Sequence, residues 1–433
     1  MKRLVAVMFA TACATAPTDG GSPTGDPGKA DGDGCMPGAP GTLDSCLGFM
    51  SGPPVSQGNV ASIVQTDDKI VVYGTAIDAS APGYHAIVVR YLATGAPDPA
   101  FQPQLPAAQG SYYFHAMAAA EAQDQSLLLT GTMGEDEFNQ HTAYVLQLGA
   151  DGAAVPGGLG GTLPVPNDNF SAGTKIVVAP GGDFYVAGTG ECSITFTCDT
   201  KDMFVAHFDA GGHLDTSYGT NGFAQLRAGQ HTTLTDAVVT DAGLDLLGTE
   251  SEPIWVQGQQ SSFDTVVVGA LDPTGMPRAG FGTAGVFTWY DSSTGFGSIG
   301  KAFHVAADGT ITVDGAITSD TLLVIGTNGQ LQSATPYYSS ISPTIDPHFA
   351  ADGSIFATVN DFPSVRFAHF SATGTLDSAF QSNDIQIPSL PPGSDILEGA
   401  PVIETSDAWL VTTSIYLASS NPDTEFVLFK VWK

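Results

Sequence analysis

Two histidines occupy matching places in consecutive stretches of this chain: His304 stands four residues before Asp308, and His348 four residues before Asp352. If the strands that carry them line a common axis, the imidazoles converge there. With Asp346 as a carboxylate they then make a candidate metal site, because imidazole nitrogen and carboxylate oxygen are donors that borderline divalent ions accept. Corresponding stretches put Val64, Ala120, Val177, Ala237 and Ile403 at or near the same position. That leaves too few ligands for a symmetric site, so the expectation is channel side chains hydrogen bonded to backbone or water, with no metal and no other cofactor assigned. A second matched pair, His207 and His369, sits one residue before the aromatic that ends a strand, where other stretches carry Arg90, Gln147 and Lys430. A polar side chain among apolar neighbours suits an exposed or inter-sheet face, and these residues are expected to be scaffold.

Other constellations carry less. The Asp-Gly pairs at Asp151, Asp308 and Asp352 lack the spaced oxygen ligands of a calcium loop and suit tight hairpin turns. Asp31 and Asp33 resemble a fragment of such a loop without its later ligands. No Gly-x-Ser-x-Gly elbow, phosphate loop or dinucleotide fingerprint is present, and Glu135 and Glu137 cannot be set across a substrate by spacing alone. No catalytic residue is assigned. The five cysteines divide into Cys13 and two close pairs, Cys35 with Cys46 and Cys192 with Cys198. Neither pair has zinc-type spacing or nearby histidines, so two local disulfides are expected.

The elements that must position these residues recur. The phrase GHLDTSYGTNGF at 212–223 returns as GTLDSAF at 374–380 and as GTLDSCLG at 41–48. Around it runs one grammar: an apolar run, a Gly/Asp turn, a second run ending in Gly, a loop, a third run with a polar residue, another Gly turn, then this tail. The third unit shows it with 175–178, the PGGD turn at 180–183, 184–188, 203–209 and the tail from His213. Seven such units of four short strands predict an all-β, seven-bladed β-propeller over 35–433. The seventh unit stops at Lys433 without a tail, whereas 41–48 has the tail grammar and no unit before it. The amino-terminal segment is therefore expected to supply the outer strand of the last blade and close the ring.

The beginning of the chain has the pattern of a targeting segment. Lys2 and Arg3 precede an apolar stretch at 4–9 and small residues up to Cys13, which predicts a signal peptide over 1–12. Residues 13–34 are rich in Pro, Gly, Ser, Thr and Asp and predict a solvated tether. With 13 Lys+Arg against 44 Asp+Glu the net charge is −31, which repels phosphate backbones and excludes nucleic acid as a partner.

Two family resemblances follow from these residues. The small residues before Cys13 resemble the lipobox of bacterial lipoproteins, although Ala10 stands where that family usually has Leu. The resemblance implies lipid on Cys13 and membrane attachment at the bacterial cell envelope, on the outer membrane or cell surface; an ordinary secreted protein is the alternative. The phrase at 212–223, following MFVAHFD, resembles the delta-60 repeat of bacterial proteins, which implies a propeller-like fold and an extracytoplasmic setting but carries no catalytic residue. The expected function is a monomeric, lipid-anchored propeller whose loops bind a protein, glycan or other extracellular ligand. A hydrolase or lyase acting on polysaccharide at the channel mouth is the alternative.

Overall fold

The computed structural model describes residues 38–44, 50–54, 60–77, 84–106, 113–134, 141–194, 198–256, 259–291, 297–316, 320–338, 345–361, 364–380, 395–396, 402–416 and 424–433. All belong to the compact unit Pro37–Lys433. The signal segment, the tether, Cys13, Cys35, Cys46, Glu135 and Glu137 lie outside the described residues.

The protein is an all-β, seven-bladed β-propeller, and among the described residues there is no helix. The third blade has the full pattern, an antiparallel sheet of Phe170–Val178, Phe184–Ile194, Cys198–Phe208 and Phe223–Leu226. Its second and third strands carry unbroken buried runs, Phe184 to Ala187 and Met203 to Ala206, as strands covered on both faces do. The fourth blade repeats it with Thr232–Thr240, Gly243–Val256, Gln259–Leu271 and Val286–Trp289, and the fifth with Ile299–Val305, Ile311–Ala316, Asp320–Ile325 and Leu331–Tyr338. The second consists of Tyr113–Glu121, Leu127–Gly134, Thr142–Leu148 and Gly160–Thr162. A single parallel pair, Tyr84 with Tyr113, joins it to the three strands of the first blade, Val60–Val64, Ile70–Ile77 and Tyr84–Tyr91. The sixth is Ile345–Phe349, Ile355–Asp361 and Ser364–Phe370.

In the seventh sheet Ala408–Tyr416 pairs with Val402–Glu404 and Asp395–Ile396 on one side and Thr424–Trp432 on the other. The outer neighbour of Thr424–Trp432 is Met50–Pro54, with Met50 opposite Leu428 and Pro54 opposite Glu425. Ahead of it Leu43 bridges Val431, and the Gly41 and Asp44 amides donate to the Trp432 and Lys430 carbonyls at 2.8 Å each. Residues 45–49 of the expected strand are outside the described residues.

Each blade buries its apolar residues against the next. Leu128 and Val145 of the second meet Phe184 and Phe204 of the third, and Leu247 and Val268 of the fourth meet Phe303 and Val313 of the fifth. The sequence of contacts returns to its start, since Leu410 and Leu428 of the seventh pack on Val60, Ile70 and Val72 of the first. There the Ser62 and Thr412 hydroxyls share a buried hydrogen bond of 2.6 Å, so the polar atoms of that seam satisfy each other.

The glycine that ends the second run of blades two, three and four has a specific cause. In blades two to five the first strand carries an extra residue, and the ladder register shifts at Ala116/Ala118, Ala187/Gly188, Leu234/Asp236 and Gly300/Ala302. At this bulge the first-strand carbonyl leans over the second strand. A Cβ on Gly131 would stand 1.9 Å from the His115 carbonyl oxygen, one on Gly188 1.9 Å from that of Ala172, and one on Gly248 2.3 Å from that of Thr233. The Asp-Gly pairs are turns, as their sequence suggests. Gly309 and Gly353 have φ of +82°, and the side chains of Asp308 and Asp352 accept the Thr310 and Ser354 amides at 2.9 Å.

Candidate functional site

The strand register settles where the two matched histidines point. His304 pairs with Thr312 and His348 with Phe356. The same rung holds Val177 and Ala120, but in the first and fourth blades it holds Ile63 and Val238, one residue from Val64 and Ala237. Those apolar residues pack against the following blade. His304 does likewise, stacking 6.2 Å from the Phe349 ring beside Gly353 of the sixth blade, where burial lowers its pKa. The rung thus faces the space between blades rather than the axis, and among the described residues no three His, Cys, Asp or Glu side chains are gathered for a metal. Asp346 lies opposite Thr358 in the sixth blade.

His207 and His369 hold the tails. In each tail an amide returns to the third strand: Asp215 to the His207 carbonyl, Asp377 to that of His369, Asp98 to that of Arg90 and Asp44 to that of Lys430. The side chains repeat the contact, with His207 Nδ1 and His369 Nδ1 each 3.1 Å from their aspartates. Arg90 donates to Asp98 from Nε at 2.9 Å and lies 2.8 Å away through Nη2, with both side chains buried. Lys430 Nζ is 3.8 Å from Asp44. In the fourth blade the tail residue is Arg278 and the polarity is reversed, its partner being Asp245 of the second strand at 3.0 Å. His207 and Arg90 are buried, which fits the inter-sheet face of the two faces expected for them.

At the opposite end from these tails, two hairpins outgrow their sheets. The second and third strands of the third blade stay paired from Phe184 and Phe208 out to Ile194 and Cys198. Those of the fourth run from Leu244 and Leu271 to Val256 and Gln259, whereas the pairing in the fifth ends at Gly315 and Thr321. Charged residues cluster at their feet. Asp202 is gripped by Arg227 through Nε and through Nη2, the latter at 2.5 Å, and Lys201 Nζ meets Glu191 at 3.2 Å. Glu250 accepts the Gln230 and His231 amides at 2.6 and 2.9 Å and so fixes the connection between the third and fourth blades. Asp168 lies over Gly190, where a Cβ would fall 1.8 Å from its Oδ2, and accepts Gln225 Nε2 at 3.2 Å. Burial, then the charges of Asp202 and Glu191, push Asp168 up to about 6.

The fifth blade holds the most displaced carboxyl. Asp314 is buried in the second strand opposite Leu322, which packs on Ile355 and Phe370 of the sixth blade, and neither oxygen has a hydrogen-bond donor. The Tyr337 hydroxyl is near enough to be felt by it but outside bonding geometry. Lys301, the bulge residue, reaches past to Asp320 at 2.8 Å. Burial, then the Asp320 charge, push Asp314 up to about 8. Motif reasoning missed this group, yet a signal existed: ITVDGA sets a carboxylate in a run where other units place Thr130, Ala187 or Leu247. In the channel, Lys175 Nζ joins Asp236 Oδ1 at 2.5 Å and ties the first strands of the third and fourth blades together.

No family model matches the chain, and no curated protein does either. Solved structures resemble it at the level of the propeller architecture. A protein of unknown function from Dyadobacter fermentans is 9% identical over 89% of this chain and 99% of its own, with a TM-score of 0.44. Prolyl oligopeptidase B from Galerina marginata is 12% identical over 90% and 52%, with a TM-score of 0.46. The polysaccharide lyase Uly1 is 11% identical over 86% and 77%, with a TM-score of 0.42.

Proposed function

We propose that the chain is a lipid-anchored, extracytoplasmic propeller of the bacterial cell envelope that binds a protein or glycan through the loop face of its third and fourth blades, without catalysis. The observation that carries this reading is the commitment of the charged groups there. Asp202, Glu191 and Glu250 are each engaged by Arg227, Lys201 or backbone amides, so they stiffen two protruding hairpins instead of facing an open reaction space. Rigid display of loops lowers the ordering cost of association. The expected disulfide belongs to the same logic: Cys192 is disulfide-bonded, and Cys198 lies on the adjoining strand near the hairpin end.

The binding reading predicts that a variant whose fourth-blade hairpin ends at the Ser251 and Asp264 pair keeps its melting temperature but loses the saturable binding that the intact protein shows on a glycan array or to an envelope protein fraction. Unchanged binding overturns it. A second reading, a hydrolase or lyase acting on polysaccharide, is favoured by Asp168, a carboxyl pushed up to about 6 beside Asp202, which Arg227 grips. Turnover in a glycan and ester screen that Asp168→Asn abolishes would reverse the ranking. The anchoring component predicts that Cys13→Ser moves the protein from membrane to soluble fractions; unchanged fractionation refutes it.

A further inference from the structure

The long hairpin of the fourth blade carries an exposed aromatic that its surroundings hold in place. Leu246 and Val267 pack with Tyr185 and Val205 of the third blade. By strand alternation Thr265 and Phe263 turn to that same side, and with them Glu250 and Glu252, their partners in the ladder. Tyr290, which follows the outer strand, stands edge-to-face against Phe263 with ring centroids 5.3 Å apart. The backbone is fixed on both sides of it. Trp289 packs into the seam with the fifth blade, and the Asp291 amide donates to Ser298 Oγ at 3.0 Å. Tyr290 is nonetheless 50% exposed, a rigid aromatic of the kind that anchors partners at low ordering cost.

The charge around these rings has one sign. Glu250 is taken up by backbone amides, but Glu252, opposite Phe263, is exposed and has no hydrogen bond or ion pair among the described residues. The hairpins at 190–202 and 249–265 hold a single Lys and no Arg. That residue, Lys201, is paired with Glu191, and Arg227 beside it grips Asp202. With a net charge of −31, the protein's field draws cations toward this face. A neutral sugar would use the rings and gain nothing from the charge. A guanidinium uses both, since its plane lies on an aromatic face while its N–H fork reaches a carboxylate.

We propose that this side of the fourth-blade hairpin receives an arginine side chain from a basic protein segment, with the guanidinium resting on Tyr290 and paired with Glu252. The proposal names the partner chemistry of the loop-face reading above and rests on it. The experiment titrates the intact protein by calorimetry with a short Gly/Ser peptide carrying arginine, with the same peptide carrying citrulline, and with a neutral chito-oligosaccharide. The arginine peptide is expected to bind saturably, and more weakly as salt is added, and the citrulline peptide not to bind. Tyr290→Ala leaves the net charge unchanged and should weaken binding about two- to fivefold, while Tyr290→Phe keeps it. Glu252→Gln should weaken binding by a similar factor of about two to five. Asp241→Asn, which removes one charge from the exposed turn at the other end of the same blade, should not, and all four variants should keep the native melting curve. Equal binding of the citrulline peptide, native affinity in Tyr290→Ala, the same loss in Tyr290→Phe, or equal losses in Glu252→Gln and Asp241→Asn overturns the proposal. Binding of the oligosaccharide alone overturns it as well, but if that binding disappears when the hairpin is shortened, the loop-face reading stands.

Discussion

Asp314 is where a single residue sets a measurable property of the molecule. Its carboxyl, held up to about 8 in the fold, returns to an ordinary value near 4 when the chain unfolds. Between those values the folded state binds a proton that the unfolded state has released, so stability falls as pH rises through that window and levels off above it. Asp314→Asn removes the proton from the balance. In urea denaturation at pH 5, 6.5 and 8 the variant should gain on the native protein by up to about 1.4 kcal/mol per pH unit, several kcal/mol in all. Asp168, held up to about 6, has the same sign but is present in both proteins and cancels. A stability gap that does not widen between pH 5 and 8 would show that Asp314 is ionised in the fold.

At the scale of the element, the repeat is a fitted pair of strands. The bulge that sets Met117, Thr174 and Thr235 out of register turns a first-strand carbonyl over the second strand, and glycine there is a steric requirement instead of a flexible joint. Gly188→Ala brings a methyl to within 1.9 Å of the Ala172 oxygen and is expected to cost about 1–3 kcal/mol or more, as overpacking does. Gly161→Ala, on an exposed strand with nothing within 4 Å of the new Cβ, should stay within about 0.5 kcal/mol of the native protein. Equal melting temperatures for the two variants would mean that the third blade relaxes around its bulge.

The whole molecule is a ring of inter-blade seams, and the contact of Leu410 and Leu428 with Val60 and Val72 joins its last sheet to its first. Residues 41–44 and Met50–Pro54 lie along the outer edge of Thr424–Trp432. Removing residues 1–54 bares the amides and carbonyls of that edge, a template for pairing with other chains. The shortened protein should melt lower and aggregate on heating, whereas removal of residues 1–34 should change neither. Identical melting and light scattering for both truncations would show that the segment contributes nothing to holding the ring together.

The sequence by itself determined the blade count and the tail. Leu43, Leu214 and Leu376 share one phrase, and each bridges the end of a third strand, at Val431, Phe208 and Phe370. Turn chemistry and apolar alternation are local properties, and the repeats made them legible. The directions of the side chains were not. Alternation separates two faces of a strand, but in a propeller both faces are covered by neighbouring blades, so nothing in the period says which residues meet the axis; His304 turned toward Phe349 for that reason. Asp314, Lys301 and Asp320 come from a second strand, a bulge and a third strand. Only the packing of one sheet on the next decides such neighbours, because it depends on register and twist, which no spacing in the chain records.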